Sequence, residues 1–212
     1  MYIIYVTNKE ESNMAEINKN SLFKLSYGLF VLSSEHSACI INTAMQLTDT
    51  PLTLSVAVNK NNNTHDMIKK CGKFNVSVLS ESASFDLFKH FGFQSSRDVD
   101  KFAEFDEKAV SENELYYITK GTNAFYSGKV INEIDCGTHT LFIAEVTEAL
   151  ELTSEPSATY DYYHKNIKPK PEQKDSGKWV CKICGYVYEG AELPDDFICP
   201  WCQHPASDFE KQ

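Results

Sequence analysis

Cys181-Lys182-Ile183-Cys184-Gly185 and Cys199-Pro200-Trp201-Cys202 stand near the end of a 212-residue chain with fourteen residues between the two pairs. Two residues between cysteines let the chain wrap one side of an ion, and a reverse turn aims backbone N–H groups at the sulfurs, offsetting part of their negative charge. Gly185 suits such a turn, because the residue after the second cysteine often needs positive φ. Four thiolates so spaced describe a tetrahedral site for zinc or iron, and the spacing does not choose between them. The 35 residues 178–212 are too few to bury a self-sufficient core. The metal must therefore supply much of the folding free energy, with Tyr186, Tyr188, Phe197, Trp201 and Phe209 as a small aromatic core. The residues before this tail are enough for a second domain of ordinary size.

Composition narrows the class. Apolar residues make up 42% of the chain, an ordinary globular value, and the net charge is −10. Arg97 is the only arginine, so the clustered cations that phosphate backbones require are missing and nucleic-acid binding is excluded. The acidic tail fits docking to a basic patch on a partner protein, or simply a solvated face. Seven cysteines are an odd number; with four on the metal, Cys39, Cys71 and Cys136 read as small buried hydrophobes in a reducing compartment. No apolar run reaches the length of a membrane span and the first residues lack a basic leader, so a soluble cytoplasmic protein is expected. Residues 1–13 precede a natural start at Met14 and read as an N-terminal extension.

Residues 14–167 are mainly β. Runs rich in branched and aromatic residues occur at 27–33, 38–47, 52–58, 74–79, 115–119, 124–134 and 140–150. Two short helices fit between them, one opened by Thr64 and ended by Gly72, the other opened by Ser84. Many short strands with few helices predict a closed or nearly closed barrel. Residues 168–177, polar with two prolines and a glycine, read as a semi-extended linker to the tail.

In the tail, Cys184-Gly-Tyr-Val-Tyr-Glu-Gly190, the stretch Leu193-Pro-Asp-Asp-Phe-Ile-Cys-Pro200 and Asp208-Phe209-Glu210 resemble rubredoxin in the shortened-loop form appended to rubrerythrins. The resemblance covers residues 178–212 and implies one redox-active iron on Cys181, Cys184, Cys199 and Cys202. Gln203 departs from it, standing where the second knuckle usually has glycine.

Three signatures precede the tail. They are Ile41-Asn42-Thr43-Ala44-Met45-Gln46 with the later turn Val58-Asn59-Lys60-Asn61-Asn62-Asn63-Thr64-His65, the stretch from His90 to Phe102 around Arg97 and Lys101, and Cys136-Gly137-Thr138-His139-Thr140 with Tyr162-Tyr163-His164 downstream. Their order and spacing resemble the flavin reductase and flavoredoxin family of FMN-binding split barrels. By themselves Asn59, Lys60, Asn63 and Thr64 offer a cation, amides, a hydroxyl and a helix N-terminus, a cradle for phosphate, or else an Asn-rich loop with a capping threonine. The resemblance favours the phosphate. It also implies ring and ribityl contacts from Asn42, Thr43, Ala44, Met45 and Gln46, and places Lys101 and His139 near the cofactor, where they would favour its anionic reduced state. Tyr163, among Tyr160, Tyr162 and Tyr163, matches an aromatic that covers the flavin face. Arg97 is read as structural, paired with Asp98 or Asp100.

Joined, the two parts resemble the high-molecular-weight rubredoxins, in which a flavin reductase is fused to rubredoxin. That implies electron transfer from NAD(P)H through FMN to iron and on to a flavodiiron-type oxygen or nitric oxide reductase, with no residue acting as nucleophile or general acid. A homodimer through the barrel is expected, with the aromatic stretch 85–93 supplying surplus apolar surface. The alternatives are an NAD(P)H:flavin reductase whose tail is a structural zinc knob, and a non-catalytic FMN-binding module that recruits a partner.

Overall fold

A computed structural model of the protein describes residues 18–169, 178–190 and 192–211. The expected N-terminal extension and residues 170–177 of the expected linker lie outside them. The main sheet has seven antiparallel strands, β1 (Phe30–Ser34), β2 (Ser37–Ile41), β3 (Ala44–Asp49), β4 (Leu52–Asn59), β5 (Lys73–Leu79), β8 (Thr122–Asp135) and β9 (His139–Glu151). Their spatial order is β2-β1-β5-β8-β9-β4-β3. The two edge strands, β2 and β3, are consecutive in sequence and joined only by Asn42 and Thr43. Three Cα steps span at most about 11 Å. A flat sheet of seven strands would hold its edges about 29 Å apart. The sheet must therefore curl until its edges nearly meet, yet no ladder joins β2 to β3 among the described residues. The result is a mainly β split barrel.

The sequence treats 38–47 as one strand; the chain breaks it at Thr43, whose hydroxyl donates to the carbonyl of Ala57 (2.8 Å) and accepts from its N–H (3.3 Å). A side chain thus stands in for the backbone partner, and the strand crosses from one edge to the other. Two bulges in the β8–β9 ladder, at Ser127/Gly128 and Val130/Asn132, bend the long hairpin around the barrel.

Strand β1 is buried on both faces because it separates two cores. Leu32, with Val56, Val58, Phe74 and Phe142, fills the barrel, while Val31 points outward to a second layer. That layer holds α2 (Phe85–Gly92), a loop carrying Phe102, the small hairpin β6 (Lys108–Val110) and β7 (Tyr116–Ile118), and a C-terminal helix α3 (Tyr160–Tyr162) that runs into a π turn at Tyr163–Ile167. Leu87, Phe88 and Phe91 are buried there, so most of the aromatic stretch 85–93 serves this layer and not an outer face. Helix α1 (Asn63–Cys71) is capped by the Asn62 side chain, which accepts from Thr64 N, and not by Thr64, whose buried hydroxyl meets that of Ser37 at 2.8 Å. Ser84 caps α2 through Leu87 N. Of the three spare cysteines Cys39 is buried and Cys71 half-buried, but Cys136 is exposed at the β8–β9 turn.

Gly128 lies at the bulge where β8 crosses the barrel core. A Cβ there would come within 2.9 Å of two ring atoms of Phe74 and 3.1 Å of Ala144 Cβ. Since Phe74 is fully buried, it has nowhere to move. Gly128→Ala should lower the unfolding free energy by about 1–3 kcal/mol, measured by denaturant titration of far-UV circular dichroism. Wild-type stability would show that the ring has room to yield.

Candidate cofactor site and metal centre

The tail folds as a three-stranded sheet in the order β11 (Val187–Tyr188), β10 (Trp179–Cys181) and β12 (Phe209–Lys211). Sulfurs of Cys181, Cys184, Cys199 and Cys202 all lie within 4.8 Å of one another, with Cys184–Cys199 at 3.4 Å and Cys181–Cys202 at 3.6 Å. A tetrahedron with metal–sulfur bonds of about 2.3 Å has edges of about 3.8 Å, so the four thiolates fit one zinc or iron ion. The knuckles match. Gly185 N donates to Cys181 O (2.8 Å) and Gln203 N to Cys199 O (2.9 Å), and both residues are left-handed, with φ of 81° and 60°. Gln203 makes the turn that glycine makes elsewhere, at a cost of about 1 kcal/mol. Backbone N–H groups of Tyr186, of Trp201 and Cys202, and of His204 face the sulfurs of Cys184, Cys199 and Cys202 respectively. Phe209 is buried among them, with Tyr186, Tyr188 and Phe197 partly so; Trp179 joins this core unanticipated.

Trp201 joins this core at its rim, meeting Tyr186 edge-on with centroids 5.4 Å apart. It is 41% exposed and stacks on Phe93, just past α2, with centroids 5.7 Å apart and planes 14° apart. On the other knuckle, Lys168 Nζ donates to the carbonyls of Lys182 (2.8 Å) and Ile183 (2.6 Å). Lys168, assigned to the linker by composition, is thus part of a docked interface.

The stretch 42–46 lies along the open edge of the barrel. Because β3 is a terminal strand, one side of its backbone lacks ladder partners. Ala44, Met45 and Gln46 border a cavity of about 260 Å³ whose other walls include Phe30, Leu54, Val78 and Tyr126. An apolar cavity beside unpaired N–H and C=O groups suits a flat heterocycle with polar edges.

The asparagine-rich turn after β4 and the β8–β9 turn lie side by side. Asn59 pairs with His139 in the β4–β9 ladder, and Lys60 N donates to Thr138 O at 3.0 Å. The Lys60 ammonium meets Asp135 at 2.6 Å, both exposed, and His139 Nδ1 lies 2.9 Å from Thr138 Oγ1. Asn63 and Thr64 form the first turn of α1. Arg97 reaches that turn: its guanidinium donates to Asp66 (2.7 Å) and Asn63 (3.5 Å), not to Asp98 or Asp100, and holds the Asp66 carboxyl below its usual range. Its partner lies 31 residues away, beyond the reach of a local reading. Ser37, Ser96 and His65 also went unread. Ser96 bonds both backbone groups of Ala38, and His65 Nε2 meets Thr140 Oγ1 at 2.9 Å, tying α1 to β9.

Lys101 is 2% exposed, its ammonium donating to Ala38 O and Phe91 O, each at 2.8 Å. It therefore clamps β2 to α2. Tyr163 is buried against Phe88, with centroids 4.5 Å apart, and has no ring contact or hydrogen bond to residues 42–46 or 59–64 among the described residues.

Comparison with known proteins follows the same division. The flavin reductase like domain family matches residues 22–170, and the rubrerythrin, rubredoxin-like domain family matches residues 179–210. High molecular weight rubredoxin of Moorella thermoacetica is 33% identical over 92% of this chain and 100% of its own. A ferric-chelate reductase (NAD(P)H) of Archaeoglobus fulgidus is 36% identical, covering 71% of this chain and 90% of its own. Among solved structures, the NADH:FAD oxidoreductase SgcE6 of Streptomyces globisporus C-1027 superposes with a TM-score of 0.60 at 20% identity, over 66% of this chain and 83% of that one, a likeness of fold.

Burial pushes the Lys101 ammonium down to about 8 from its ordinary 10.5. Between those values the unfolded chain holds a proton that the folded chain has lost, so stability should rise with pH across the window. The cost of the buried cation is fully present below about pH 8 and relieved towards 10.5. Lys101→Met should flatten that rise, measured as the wild-type minus variant difference in denaturation midpoint from pH 7 to 10.5. Parallel curves would mean that Lys101 is not desolvated.

Proposed function

The chain belongs to the flavin reductase-like family and carries a rubredoxin-like domain behind it, and from that membership we propose an NAD(P)H-dependent oxidoreductase that passes electrons through FMN to iron on Cys181, Cys184, Cys199 and Cys202, and on to a protein acceptor. The observation that carries this reading is the seating of both cysteine knuckles on the larger domain, through Lys168 and through Trp201 on Phe93. A structural zinc knob has no need of that contact; a metal that takes electrons from a cofactor does. Bound FMN accepts a hydride from NAD(P)H and releases electrons singly, matching a two-electron donor to a one-electron metal.

The chain's own part is binding and orientation. The open backbone edge at Asn42, Thr43, Ala44, Met45 and Gln46 holds the ring and ribityl chain. Asn59, Lys60, Asn63 and Thr64, joined by Arg97, receive the phosphate, whose charge replaces part of what Asp135 and Asp66 now supply. His139 tunes the cofactor from the same end, and Lys101 acts by fixing β2.

The acceptor is of the flavodiiron oxygen or nitric oxide reductase type, met through the acidic tail. Cys199→Ser should abolish the red ferric-thiolate absorption while FMN stays bound. NADH oxidation with free flavin or a dye should persist near the wild-type rate, and reduction of the protein acceptor should fall to background. Added salt should slow the wild-type reaction with the acceptor. Stoichiometric zinc without iron, in protein made with iron available, would return the tail to the structural role of the plain flavin reductase reading.

The working unit is a homodimer. Met45, Leu47 and Leu52 on β3–β4 and Ile131, Ile134 and Leu150 on β8–β9 are all exposed in one chain, more apolar surface than a monomer ordinarily leaves open. Light scattering at micromolar concentration should give a mass near twice 24.0 kDa. A monomer would refute the dimer.

A further inference from the structure

The two contacts that seat the metal centre divide its knuckles between them. Trp201, between ligands Cys199 and Cys202, lies on Phe93. Lys182 and Ile183, between ligands Cys181 and Cys184, give both their carbonyls to the ammonium of Lys168. The lysine itself is fixed from behind, since its backbone N–H donates to Tyr163 O at 2.8 Å and closes the π turn. Its stem also passes Gly185, with Cε 3.9 Å from where a Cβ on that glycine would stand. No carboxylate pairs with Lys168 among the described residues. An unpaired, half-buried ammonium held between a packed helix and a four-thiolate cluster is in position to grip that cluster and to feel its charge.

We propose that Lys168 is a positioning residue that latches the metal module onto the C-terminal helix of the flavin domain, and that its charge makes the centre easier to reduce. The docking half stands on geometry alone; the redox half rests on the electron-transfer reading above. In that step one electron leaves the reduced flavin and converts ferric to ferrous iron, so each hydride from NAD(P)H serves two such events and leaves the flavin's proton to solvent. Every reduction adds one negative charge to the four-thiolate centre. A fixed cation beside the knuckle stabilises that added charge, and losing it shifts the potential downward. Held by Lys168 and Phe93, the centre stays beside the flavin domain and need not search for it on its tether.

The test uses the full-length protein with its four-cysteine site loaded. Lys168→Met and Phe93→Ala should each enlarge the maximum dimension seen by small-angle X-ray scattering with zinc in the site, where no redox chemistry contributes. Lys168→Arg should match wild type. With iron in the site, Lys168→Met should lower the midpoint potential, whereas Phe93→Ala, which removes no charge, should alter it less. Metal reduction after photoreduction of the flavin should slow in both, by about tenfold, the cost of losing one or two hydrogen bonds or a ring stack. Unchanged scattering and potential in Lys168→Met at full metal content would overturn the latch. If wild type transfers no electrons from flavin to metal, the electron route fails, and the scattering and potential still decide the latch.

Discussion

Asn42 and Thr43 carry the chain from one edge of a seven-stranded sheet to the other, and most of what the larger domain offers depends on that short reach. Covalent continuity forces the sheet to curl, while Thr43's hydroxyl, bonded to Ala57, prevents the strand from running straight through. The seam therefore closes in space without closing in hydrogen bonds. On one side of it lies the open backbone edge of β3, and on the other Ser37 of β2 ties down the first turn of α1 through Thr64. An apolar wall, unpaired backbone groups and a helix N-terminus are gathered at the seam, which explains why the cofactor-binding expectations concentrate there.

The smaller domain obeys the opposite economy. Its aromatic side chains surround the four sulfurs and cannot form a core without them. The metal defines the fold, and the larger domain defines the position. Even the strained turn at Gln203 fits this arrangement, since a strong metal–thiolate framework tolerates a backbone conformation that a weakly packed loop would relax.

Legibility followed the range of the interactions. The four ligands were readable because knuckle geometry is local, and the strands because branched residues accumulate along them. Sheet order was not, since β1 meets β5 and β5 meets β8 across long stretches of sequence. Polar Asn42 and Thr43 mark the place of the break but not its cause, which is a hydroxyl meeting Ala57 on another strand. Arg97 and Lys168 were misplaced for one reason: each finds its partners at a distance, Asp66 in one case and two knuckle carbonyls in the other. Composition gave Lys168 to a linker, and only tertiary contact takes it back. The helix at 160–167 was also unread, since so short a segment has no period to display.

Both tryptophans of the chain, Trp179 and Trp201, belong to the metal-binding domain, and the barrel has none. One lies in the small domain's core, the other on Phe93 at the seat. Indole emission from this protein is therefore a private signal of its smaller part: it reports the environment of the sulfur cluster and the state of its docking, undiluted by a barrel several times its size.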